Sequence, residues 1–171
     1  MRLIRALKKL KAFQGLTEQE LAWVLYDVGN SAYTMLACSL IPIWFKSIAV
    51  GHAPGQISSD NATAYYSLAI SIVTVAVALL GPVLGALADH KDKKRMYFTS
   101  AATLGMIFCV LTGFAWSWLL FLILFVVTKI CYSASLTIYD SMLGDITTED
   151  RMDEVSSNGF AWGYLGSCIP F

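Results

Sequence analysis

Charge is scarce in this sequence: 14% of its 171 residues are charged and 57% are hydrophobic, against roughly 25% and 45–50% in an average soluble domain. With a mean hydropathy of +0.61, that balance excludes an ordinary soluble domain and implies an integral membrane protein. Cysteine is sparse and unpaired in spacing. Cys38, Cys109, Cys131 and Cys168 all fall in apolar runs, which excludes a disulfide or metal framework and makes them small apolar side chains in lipid or at helix interfaces. Histidine is limited to His52 and His90, both read as solvated loop residues. There is no His-x-x-x-His, no Gly-x-Ser-x-Gly and no clustered carboxylate pair with a base, so an intramembrane enzyme is not expected. No resident cofactor or nucleic-acid partner is expected either, and a coupling proton or ion stays open.

The beginning of the chain lacks the continuous apolar core and small-residue cleavage site of a secretory signal. Residues 1–16 are instead a basic tail, with Leu3, Ile4, Leu7 and Leu10 at helical spacing among Arg2, Arg5, Lys8, Lys9 and Lys11. It suits either an anionic leaflet or a frayed cytoplasmic end.

What the sequence has in quantity is long apolar runs, which predict an all-α membrane helix bundle over residues 17–171. Thr17-Glu18-Gln19-Glu20 matches a capping box and opens the first helix, at about residues 18–45. Further helices are expected at about 62–88, 96–115 and 117–143, and a fifth from 156 to 171. Lys46 to Asn61, rich in Gly, Pro, Ser and Asp, reads as a loop. It ends in an Asn61-Ala62-Thr63 glycosylation acceptor set too close to the membrane for use. Gly144 to Val155 reads as an acidic loop. Trp116 and Trp118 suit an interfacial belt. The fifth run falls short of the roughly 20 residues that cross a bilayer, so a longer protein with a missing C-terminal half is expected.

Cations are lacking on one side of this arrangement. Basic residues crowd the N-terminal tail and Lys91, Lys93, Lys94 and Arg95, whereas the loop after the first helix has only Lys46. Positive charge concentrates on the cytoplasmic face, which predicts a cytoplasmic N terminus, in a bacterial inner membrane or, for a fungal protein, a vacuolar one.

Inside the apolar runs a few polar residues stand out. Asp27, Asn30, Ser31 and Thr34 occur at i, i+3, i+4 and i+7, one stripe down the first helix. Facing lipid, Asp27 alone would cost about 2.5–3.5 kcal/mol at mid-helix, so the stripe is expected to meet other helices or a wet cavity. On the fourth helix Lys129, Ser133 and Asp140 share a face. Lys129 lies about 18 Å along from Ser117, near the middle of a 30 Å hydrocarbon core. Its ammonium needs Asp27, an anionic solute group or water. Either an interhelical ion pair or a solute or ion pathway answers that need. Gly159, Gly163 and Gly166 are expected to serve close helix packing.

Gly81 and Gly85, one turn apart, run into Asp89 and the basic turn, placing a small-residue face and a carboxylate at a membrane surface. Gly85-x-x-x-Asp89 followed by basic residues resembles the loop signature of the major facilitator superfamily, with His90 where that pattern prefers Arg or Lys and Asp92 where it has Gly. Residues Trp23 to Tyr33 and Val155 to Gly166 look like its vacuole-effluxer-like branch, named for autophagy-linked fungal amino-acid exporters. The resemblance implies the first five of about twelve helices, two halves rocking about a central site, and helices one and four lining the cavity. It also implies a cytoplasmic gate at Gly81, Gly85, Asp89, Lys93, Lys94 and Arg95 against the second half.

The function expected from these residues is secondary active transport of a small polar solute, with amino acids one possibility and lipid-like cargo another. The competing expectation is a non-transporting membrane scaffold that packs with partner helices.

Overall fold

A computed structural model describes Phe13, residues 15–88 and residues 91–169. The described residues are helical throughout, joined by short turns, with a single bridge between Val50 and Ile57. In chain order the helices are α1 (Glu18–Ala49), α2 (Ser59–Ala88), α3 (Lys91–Thr112), α4 (Trp118–Ser141), a short α5 (Leu143–Ile146) and, after a 3-10 turn at Glu149–Arg151, α6 (Met152–Ser167). Helices α1 to α4 are long and apolar enough to cross a membrane. The chain is therefore a multi-pass, all-α membrane bundle.

Several helix limits differ from the sequence expectation by a few residues. Helix α3 starts at Lys91 rather than near Met96, so the basic stretch is its first turn. Lys and Arg are good helix formers, but cations oppose the dipole at a helix start. Lys94 resolves that conflict by donating its ammonium to the carbonyl of Ser141, 3.1 Å away at the end of α4, where orphan carbonyls favour a cation. Helix α6 starts at Met152 rather than Ser156, because Asp153 and Glu154 lie in its first turn, where negative charge is favourable. The residues from Gly144 on are thus largely helical instead of an open acidic loop. Helix α1 runs on to Ala49, through Pro42.

The chain divides into two compact units, Met1–Leu40 with Met142–Phe171, and Ile41–Ser141. In the first, the predicted capping box forms: the Thr17 amide donates to Glu20 Oε2 at 2.7 Å and the Glu20 amide donates to Thr17 Oγ1 at 3.2 Å. Leu21, Val24, Phe13, Leu16 and Val155 make its core, with the Phe13 ring 4.6 Å from that of Trp162. Gly15, at φ +106°, supplies the left-handed turn that folds Phe13 back, a conformation other residues adopt only with strain.

In the second unit, aromatic rings organise the packing of α1's end with α2 and α4. Phe45, wholly buried, lies 5.7 Å from Phe121 and 5.6 Å from Tyr66, which stacks at 5.4 Å on Phe125. Such pairs add about 0.5–1.5 kcal/mol each beyond area burial. The loop from Val50 to Ile57 is pinned at Gly55, whose carbonyl accepts from Trp118 Nε1 at 2.9 Å. Gly105 lets α3 approach α4 at Cys131, where a Cβ would sit 3.4 Å from that of Cys131. Outward faces stay apolar, with Leu79, Val75, Val110 and Met106 exposed, as suits lipid rather than water. Trp116 is exposed at the turn between α3 and α4.

Candidate functional site

The polar stripe of α1 does not face open solvent. Its helical spacing carries Asp27 and Ser31 onto the face that meets α6, where three glycines remove the side chains that would keep the backbones apart. A Cβ on Gly159 would stand 2.7 Å from the Trp23 ring, and one on Gly166 would stand 2.5 Å from Val28 Cγ1. At Gly163 it would stand 2.8 Å from both Asp27 Oδ2 and Ser31 Oγ. Gly159, Gly163 and Gly166 are all buried, and at each the backbone of α6 lies close against α1.

Asn30 completes this cluster. Its side chain hydrogen-bonds the Asp27 carboxylate, while its Oδ1 is buried and has no hydrogen-bond partner among the described residues. An unsatisfied buried acceptor costs about 1–3 kcal/mol. Thr34 donates its hydroxyl to the Asn30 carbonyl at 3.0 Å, a bond within the helix. Of the stripe, then, Asp27 and Ser31 meet at Gly163, and Asn30 bonds Asp27 from its own helix.

In the second unit Lys129 is the twelfth residue of α4, a helix of 24 residues, and is partly buried. Its Nζ lies 5.1 Å from the centroid of the Tyr132 ring, a cation–π arrangement worth roughly 0.5–2 kcal/mol according to desolvation. The carbonyl of Ser133 accepts from Thr137 Oγ1 at 3.0 Å. Asp140 stands exposed in the last turn of α4, about 16 Å further along the helix than Lys129.

Of the residues expected at the gate, Gly81 and Gly85 lie in α2, and a Cβ on either would meet nothing within 4 Å. Asp89 and His90 lie outside the described residues. Lys93 and Arg95 are exposed, whereas Lys94 is 7% exposed and engaged with Ser141.

One cluster escaped the sequence reading. Glu20, 1% exposed, does more than cap α1. Its Oε1 accepts from Thr147 Oγ1 at 2.8 Å and lies 3.2 Å from Arg151 Nη1, while Arg151 Nη2 donates to the Gly15 carbonyl at 2.7 Å. A capping-box glutamate uses one oxygen locally, and the spare oxygen was the signal available in the sequence.

The family model of the Major Facilitator Superfamily matches residues 24–170. The chain belongs to the major facilitator superfamily. Within it, the uncharacterized MFS-type transporter YxiO of Bacillus subtilis (strain 168) is 40% identical over 158 residues, 91% of this chain and 36% of that protein. An uncharacterized protein of Aquifex aeolicus (strain VF5) is 27% identical over 155 residues, 88% of this chain and again 36% of the relative. The chain thus spans little more than a third of the length of both. No solved structure matches it.

Proposed function

We propose that this chain is the N-terminal part of a secondary transporter that moves a small polar solute by alternating access. Membership of the major facilitator superfamily over residues 24–170 carries the proposal, and the polar residues on α1 and α4 support it. Ionisable groups far from the ends of apolar helices mark solute or ion paths. Asp27, with Asn30 and Ser31, is assigned to ion or proton coupling, and Lys129 to solute or its counter-charge. Ser133 and Asp140, on the same helix as Lys129, are assigned to the solute path with it. The N terminus is assigned to the cytoplasmic side by the positive charge around residues 1–11 and 91–95.

Amino acids are the first solute class to test, from the likeness of residues 23–33 and 155–166 to the vacuole-effluxer-like branch. Lipid-like cargo is the second, since fold does not fix substrate. The open faces of Gly81 and Gly85 are assigned to close approach by helices of a second half. The scaffold alternative shares that surface but needs no Lys129. In proteoliposomes holding the whole protein, Lys129→Ala is expected to abolish solute flux while leaving the inserted amount unchanged. Undiminished flux would remove Lys129 from the mechanism, and a wild-type protein silent toward every solute tried would favour the scaffold.

A further inference from the structure

Among the three glycines of α6, Gly159 presses on an aromatic ring, Gly166 on the side chain and backbone of Val28, and Gly163 alone on polar side-chain atoms. Gly159 and Gly166 meet the Trp23 ring and Val28, whereas the hydrogen of Gly163 that stands in place of a Cβ points between Asp27 Oδ2 and Ser31 Oγ, each 2.8 Å from that Cβ position. Two oxygens from successive turns of α1 thus converge on one bare backbone position. We infer that Gly163 is a positioning residue for the Asp27 carboxylate, distinct in role from the packing glycines on either side of it.

The chemistry follows from what surrounds that carboxylate. Asn30 holds it from its own helix, and the Gly163 Cα–H group faces it from α6, a weak donor of a kind that recurs where helices approach closely. A methyl group at 163 would overlap both oxygens, so either the helices separate or the carboxylate leaves. Asn30 Oδ1, buried on the neighbouring turn, has no hydrogen-bond partner among the described residues. That pattern favours a carboxylate held at a fixed place, where a proton or small cation arriving at Asp27 would find oxygens already set. The inference rests on the coupling role proposed above for Asp27, but the position of the carboxylate can be read without any solute.

The test compares Gly163→Ala with Gly159→Ala and Gly166→Ala in the whole protein, which is purified in detergent and treated with dicyclohexylcarbodiimide, a reagent for membrane carboxyl groups. Labelling of Asp27 is followed by mass spectrometry beside thermal stability. All three variants are expected to melt earlier, but only Gly163→Ala should change the Asp27 labelling rate, by about fivefold or more, equivalent to roughly 1 kcal/mol. Equal labelling in all three variants would overturn the inference. Should Gly163→Ala not fold, Ser31→Ala with Gly163→Ala removes one overlapping oxygen. Altered labelling in that pair supports the seat, and wild-type labelling overturns it. Uptake of a radiolabelled amino-acid mixture separates the two levels: wild-type flux in Asp27→Asn refutes the coupling role alone, whatever the labelling shows.

Discussion

At the scale of single residues, the positions that carry argument combine burial with an unusual neighbour. Asp27 and Ser31 meet a glycine, Asn30 Oδ1 finds no donor among the described residues, and Lys129 rests over an aromatic ring. Replacing Gly159 with alanine illustrates how such a contact differs from a packing one. Its Cβ would lie 2.7 Å from Trp23 Cζ3 and 3.4 Å from Cη2, so a large ring must shift against a buried helix face. Overpacking of this kind costs about 1–3 kcal/mol. Gly159→Ala is therefore expected to lower the melting temperature in detergent, and a variant as stable as the parent would contradict the packing of α6 on Trp23.

Among elements, the junction of α1 with the segment from Thr147 to Glu154 is held by hydrogen bonds and ion pairs through Glu20 and Arg151. One arginine joins three pieces of chain: the turn at Gly15, the first turn of α1 through Glu20, and the first turn of α6 through Glu154, at 3.5 Å. Truncating it leaves the buried Glu20 carboxylate with only its hydroxyl and amide donors, a loss of about 1–3 kcal/mol, toward the low end because Arg151 is 33% exposed. Arg151→Ala is expected to raise the rate of protease cleavage between Thr147 and Asp153. Unchanged cleavage would show that the acids at the start of α6 hold the segment without it.

The same elements show what could be read in the sequence. Apolar length and the Thr17 to Glu20 pattern were enough to place α1 to α4 and the cap of α1, because those signals are local. The stripe from Asp27 to Thr34 was legible as a helical face, since its spacing alone defines it. What it faces was not, because a glycine announces close approach without naming its partner. Arg151 was legible only as a charge in an acidic stretch, since its bonds to Gly15 and Glu20 join residues more than a hundred positions apart. Helix α3 began earlier than expected because the carbonyl that receives Lys94 belongs to a different helix.

For the whole molecule, the two relatives are about two and a half times as long as this chain, which spans 36% of each. The exposed apolar faces of α2 and α3 fit lipid, and the open glycines of α2 fit a further helix. The central claim is coupled transport through Asp27. Its most direct test is uptake of a radiolabelled amino-acid mixture into proteoliposomes of the whole protein, with and without an imposed proton gradient, for the wild type and Asp27→Asn. The expected result is gradient-driven accumulation by the wild type and equilibration without accumulation by the variant. Accumulation by Asp27→Asn equal to that of the wild type would contradict the claim.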